Sequence, residues 1–342
     1  MSGLASPEYL LDSRGTQRSL GAYVVGAVFE RGGTAAFALG DGTVHLATGA
    51  GTWPRIEVHA GAVLSLAAAT EGWVTGGDDG RFRRVGRDGT VADVARFGSK
   101  WVEQVTAHAD PKAGLIACAV GKAAHVFSAA GEPLKVFEHP SAVTGLVFDA
   151  KGKRVAASHY NGCSLWFVAA KANTPRVLDW KGSHTGIAIH PGAEAVVTAM
   201  QENALHGWRL SDGQHMRMSG YPAKTESLSF SRTGKWLASS GAESVVMWPF
   251  FGGGPMGKAP MELAGGDGML CTQVAFHPQQ DMVAAGFSDG LVVLADVASS
   301  RVLPVAPPGH GAVSAIGWSP TGSHLAFGCE SGFAAVVDFS AR

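Results

Sequence analysis

Met282-Val-Ala-Ala-Gly-Phe-Ser-Asp-Gly-Leu-Val-Val-Leu294 is the stretch that decides the fold. Two short apolar runs flank Asp289-Gly290, a pair that tolerates the positive φ of a tight hairpin turn. Just upstream, Phe276-His-Pro-Gln-Gln280 marks an earlier turn after another apolar run. That turn recurs as Phe148-Asp-Ala-Lys-Gly152, Phe230-Ser-Arg-Thr-Gly234 and Trp318-Ser-Pro-Thr-Gly322. Arg154-Val-Ala-Ala-Ser-His-Tyr-Asn-Gly-Cys-Ser-Leu-Trp166 repeats the hairpin that follows it. A strand-turn-strand unit repeating every forty residues or so reads as a stack of supersecondary units, and at this length as propeller blades.

Working outward, three-strand sets fall at 23–47, 63–85, 102–127, 143–167, 186–208, 227–248, 272–294 and 313–337. Short outer strands follow at 54–58, 91–97, 133–137, 176–179, 215–218, 261–263 and 302–305, one fewer than the sets. The missing strand is expected from the N-terminus, within 8–20, because pairing the two ends removes a free sheet edge. The expected fold is therefore all-β: a single closed β-propeller of four-stranded blades. Eight blades are favoured, seven are the alternative, and the N-terminus supplies the outer strand of the last one.

Apolar residues make up 46% of the 342 and charged residues 16%, with 47 glycines for the turns. No composition break divides the chain. The net charge is −1 with no basic run, so neither nucleic acid nor membrane is an expected partner. Cys118, Cys163, Cys271 and Cys329 are far apart and form no CxxC, as expected of buried, reduced thiols. Residues 1–20 hold Glu8, Asp12, Arg14 and Arg18 without a continuous apolar segment, so neither a signal peptide nor an anchor is expected there. The expectation is a cytoplasmic protein.

The turns above, Trp166, Trp208 and Trp248 near the ends of third strands, and Gly309-His310 before a first strand together resemble the WD40-repeat family. The resemblance is to small bacterial single-domain members and spans nearly the whole chain, so 1–342 reads as one domain. The family's terminal Trp-Asp is degenerate, reading Trp166-Phe167, Trp208-Arg209 and Trp248-Pro249. Its His-Ser/Thr-Asp-Trp hydrogen-bond tetrad is matched best by His184, Thr198, Glu202 and Trp208. His139, Asn161 and Trp166 match in the preceding repeat, where Ala157 takes the hydroxyl position. The resemblance implies a protein-interaction scaffold.

Catalytic groupings are scarce. Gly252-Gly-Gly-Pro-Met-Gly257 spells GxGxxG, but Pro255 interrupts it and no helix follows to meet a phosphate, so it reads as a loop. The thirteen histidines show no HxH, HExxH or zinc spacing. A site spanning repeats, from His159, His184 and His206, is the metal-handling alternative. The innermost strands offer Ser65, Thr106, Thr144, Thr185, Glu226, Ser229, Gln273 and Ser314. With one acid among them, a hydrolase using the central channel is the weaker alternative.

What exceeds the needs of a turn is the rim formed by second turns and outer-to-inner linkers. His159, Tyr160 and Asn161, then Trp180 and Lys181, then Met200, Gln201 and Glu202 bring aromatic, thioether and amide groups of the kind enriched in interface cores. These eight are the expected partner contacts. The long loop 250–260, with Phe250, Phe251, Pro255 and Met256, is a second docking candidate. The reading is a monomeric, non-enzymatic docking platform for another protein, with no cofactor.

Overall fold

A computed structural model describes residues 8–48, 51–265 and 268–340. Where a strand lies along the radius follows from its pattern. Middle strands are mostly apolar and buried on both faces, as in Ala35–Leu39, Ala195–Met200 with Thr198 its one polar residue, and Met282–Phe287 beyond a half-buried Met282, because each sheet is covered by two neighbours. Outer strands alternate: His215–Met218 points His215 and Arg217 outward while Met216 and Met218 are buried. Interdigitated aromatic pairs fill the gaps, with Phe37 stacked on Trp53 at 5.0 Å and Phe137 on Trp166 at 4.6 Å.

All neighbouring strands are antiparallel. Val24–Phe29, Ala35–Leu39, Thr43–Ala47 and Arg55–Glu57 form the first sheet, and Val63–Ala68, Trp73–Gly77, Arg81–Val85 and Val91–Arg96 the next. Gln104–His108, Leu115–Val120, Ala123–Ser128 and Pro133–Glu138 follow in the same order. Beyond the six-stranded sheet described below lie Leu228–Phe230, Trp236–Ser239, Val245–Pro249 and Met261–Leu263, then Cys271–Phe276, Met282–Phe287, Val292–Asp296 and Val302–Ala306. The last sheet runs Val313–Trp318, His324–Cys329, Phe333–Asp338 and then Gly15–Ser19. Innermost strands touch one another in sequence around the ring, and Val313–Trp318 returns to Val24–Phe29.

The favoured count of eight blades is corrected by the pairing, which gives the alternative of seven. Among the described residues the strands form seven hydrogen-bonded sheets, six of four strands and one of six. The large sheet takes the place of two expected blades. Its order is Gly145–Phe148, Arg154–Phe167, Arg176–Ile189, Ala195–Met200, Ala204–Arg209 and His215–Met218. The two 14-residue segments are not straight. Val168 N–H donates to the Lys153 carbonyl at 3.0 Å, so the chain between them doubles back at Asn161 (φ 67°) and Gly162 (φ 137°). Residues 176–189 bend near Gly182 (φ 117°). Elsewhere a second turn meets its linker through isolated backbone bonds, as where Val58 and His59 N–H donate to the Gly42 carbonyl; here Tyr160 pairs with Ser183 and Gly162 with Asp179, so the ladder runs on across the linker.

Closure is by the N-terminal strand: Gly15 through Ser19 pair with Val337 through Phe333. The short helix Leu10–Arg14 precedes it and buries Leu11 against Val305, Ala306 and Val337. All four cysteines are buried free thiols, and burial pushes each of them up. No helix among the described residues is long and apolar enough to cross a membrane.

Candidate functional site

The continued ladder builds a groove on the rim. Tyr160, Trp180, Lys181, Met200 and Glu202 line a hollow of about 330 Å³ together with Gly182, Ala204 and Arg217. Tyr160 stands 58% exposed, held at its root by its N–H donating to Ser141 Oγ at 2.8 Å. Trp180 is half-buried because its ring lies on His206, centroids 4.0 Å apart and 14° from parallel. Met200 is buried in the floor, while Lys181, Glu202 and Arg217 are exposed around it. Arg217 was not expected; it reaches the groove because it pairs across the sheet with His206, a register that local pattern does not reveal.

Three expected contacts are not in the groove. His159 is 2% exposed beneath Tyr160; its Nδ1–H donates to the Tyr160 carbonyl at 3.0 Å and its Nε2 accepts from Ser164 at 2.9 Å. Asn161 spends its Oδ1 on the Gly182 N–H at 3.2 Å, fastening the linker to the turn. Gln201 donates its N–H to the Ser183 carbonyl and faces solvent.

The tetrad is partial. His184 Nε2–H donates to the Trp180 carbonyl at 2.9 Å, which leaves Nδ1 to accept from Thr198 Oγ1 at 2.7 Å. Trp208 Nε1–H goes instead to the Asp179 carbonyl at 3.4 Å, and Glu202 accepts from Ser183 N–H at 3.3 Å. Fuller relays stand elsewhere. His59 donates from Nδ1 to Asp79 at 2.9 Å and accepts at Nε2 from Thr75 at 2.9 Å. Burial alone would raise the Asp79 carboxyl, but hydrogen bonds from His59, Ala60 N–H and Arg81 N–H outweigh it and hold it below the usual range. Tyr221 fills the histidine position in another sheet: Trp248 Nε1–H donates to its hydroxyl at 2.6 Å, and that hydroxyl meets Ser239 Oγ at 2.5 Å. A scan for histidine passes over this one.

His159 and His184 of the metal alternative are committed to other partners at both ring nitrogens, and His206 at one. His206 Nε2 lies 2.9 Å from His215 Nδ1, and burial, followed by the neighbouring His215, pushes His206 down to about 3. Its Nδ1 is buried without a partner. No group of three His, Cys, Asp or Glu side chains poised for a metal occurs among the described residues. On the innermost strands, hydroxyls staple neighbouring sheets. Thr272 donates to the Val313 carbonyl at 2.7 Å and Ser314 to the Val24 carbonyl at 2.7 Å, while Ser229 accepts from Phe276 N–H at 3.0 Å. Glu226 lines a channel hollow of about 390 Å³ beside Gln104, Thr144 and Thr185.

The GxGxxG loop has the polarity opposite to a phosphate cradle. Lys258 Nζ donates to the carbonyls of Phe251, Gly252 and Gly254, so oxygens rather than amides converge on a cation. Phe250 is folded back against His190 and Phe230, whereas Phe251 is 47% exposed.

Comparison with known proteins agrees with the architecture. The family model of the anaphase-promoting complex subunit 4 WD40 domain matches residues 268–341. No curated protein matches the chain. The crystal structure of the computationally designed Ika8 protein is similar with a TM-score of 0.74, at 19% identity, over 93% of this chain and 96% of that one. That likeness is one of fold. The closed ring of antiparallel sheets and its repeated turn-bounded strands make the chain a β-propeller, and over residues 268–341 it matches a WD40 family model.

Proposed function

We propose that this propeller is a non-enzymatic docking platform, acting as a single-domain monomer that binds another protein through the groove between Tyr160 and Met200. One observation carries the reading: an exposed tyrosine, a half-buried tryptophan and a methionine floor converge on one hollow. Lys181, Glu202 and Arg217 supply charges of both signs around them. An apolar, aromatic centre inside a polar rim is the anatomy of a protein interface. Asn161 and the Tyr160–Ser183 pairing hold the groove walls in place, so little ordering cost falls on binding.

Retrieval of partners from the native host tests it. Tyr160→Ala combined with Lys181→Glu changes only exposed side chains, so thermal stability is expected within about 0.5 kcal/mol of the parent. The partner captured by the parent is expected to be lost. Undiminished capture by this double variant refutes the groove as the docking site.

A further inference from the structure

The groove occupies one end of the ring, and the opposite end of the same sheets carries a different kind of surface. The Val168–Lys153 hydrogen bond marks that end, away from the Asn161 turn. The segments 149–154, 167–176, 190–194, 209–214, 231–235 and 249–260 meet there, as first turns and third-to-fourth-strand loops. Together they hold nine Lys and Arg against three Asp and Glu, in a chain whose net charge is −1. One of the three acids, Asp149, is already spent on the N–H groups of Lys153 and Arg154.

Eight of these nine cations have no ion-pair partner among the described residues; the ninth, Arg209, pairs with Asp212. The arginines of the second sheet behave differently, since Arg81, Arg83 and Arg96 share Asp93 and Arg87 takes Glu30. Ordinary surfaces intersperse the two signs, so a contiguous unpaired block leaves a local positive field.

The surface is also shaped. Arg154, Arg176, Glu194 and Arg209 line a hollow of about 450 Å³. Glu194 and Arg209 belong as well to an adjoining hollow of about 200 Å³, which adds Lys235 and Phe251. Exposed aromatics stand beside both: Phe167 at 54% and Phe251 at 47%.

We infer that this basic, two-hollow surface docks an acidic peptide segment bearing apolar side chains. Charge complementarity selects the acidic partner. Two details select peptide over nucleic acid. Each exposed ring already carries a cation, Arg154 at 5.0 Å from the Phe167 centroid and Lys258 at 4.7 Å from Phe251, which takes up a face that a base would need for stacking. Glu194 sits where the two hollows join; it repels a continuous line of phosphates but accepts peptide N–H groups. The inference stands independently of the rim groove.

The test uses a fluorescein-labelled dodecapeptide alternating Glu with Leu, titrated by fluorescence anisotropy into the full chain. Saturable binding that weakens as salt rises is expected. Lys153→Glu with Lys235→Glu, both exposed and unpaired, is expected to weaken it at least about tenfold, whereas Lys122→Glu, exposed on a second turn at the other end and outside the groove, leaves it unchanged. The milder Lys153→Gln with Lys235→Gln, checked by thermal melting, gives a smaller loss of the same sign and separates misfolding from lost charge. The inference is overturned by no saturation up to about 1 mM, an affinity of only about −4 kcal/mol. It is equally overturned if the reversals leave binding intact, or if a twelve-nucleotide single strand or phosphatidylserine vesicles displace the peptide at lower concentration than unlabelled peptide does.

Discussion

Gly15 faces Val337 across an antiparallel ladder, so strands from opposite ends of the chain complete one sheet. Neighbouring Leu11 is buried against the same sheet. The ring therefore has no free edge at this seam, and its cohesion depends on a short N-terminal segment.

Removing residues 8–19 is expected to expose the Phe333–Asp338 edge and cause early melting with aggregation, read by thermal scanning with light scattering. Leu11→Ala is the graded version, expected to cost about 2–5 kcal/mol. A truncated chain that melts at the parental temperature contradicts a load on this seam.

Tyr221→Phe is expected to destabilise by about 1–3 kcal/mol, because it strands the buried Trp248 indole N–H and removes a partner of Ser239. Adding Trp248→Phe is expected to recover part of the loss, since both polar partners are then gone. Chemical denaturation of the parent, both single variants and the double closes the cycle; strict additivity rejects the coupling.

The inner-strand hydroxyls predict a distributed effect. Thr272→Val and Ser314→Ala each delete one inter-sheet hydrogen bond, and each is expected to cost about 1 kcal/mol. Urea midpoints measure this. A channel-lining hydroxyl facing only water would cost nothing.

Stability is expected to fall in mild acid. Burial pushes His139 down to about 4 and His206 down to about 3, from an ordinary 6.5. Below 6.5 the unfolded chain then takes up protons that the folded one refuses, so the contribution is complete above that pH and lost as pH falls toward 4. The melting temperature at pH 7.5 should exceed that at pH 5, and His139→Gln should reduce the difference. A melting temperature unchanged across this window refutes the assignment.

The proposed docking groove was only half legible in advance. Tyr160, Trp180, Lys181, Met200 and Glu202 stand out because a turn or linker does not need them, and the fold brings them together. His159 and Asn161 share the same short stretch but turn inward or sideways, because strand alternation and the Gly182 contact claim them. Tyr221 as a histidine substitute carries no local mark at all, since its role exists only through Ser239 and Trp248. The basic surface was hidden for a related reason: its cations are scattered over five segments of a chain with balanced charge.

The amino-acid sequence by itself determined the strand units, their turns, their radial order and the closing N-terminal strand, because two-residue alternation and turn chemistry act over a few residues. The tertiary structure alone decided that the Tyr160 turn and the 179–183 linker pair, merging two expected blades into one six-stranded sheet. It likewise decided that Arg154, Arg176, Arg209 and Lys235 share a surface with one ion pair among them. Both depend on which loops the closed ring sets side by side, and no local pattern encodes that adjacency.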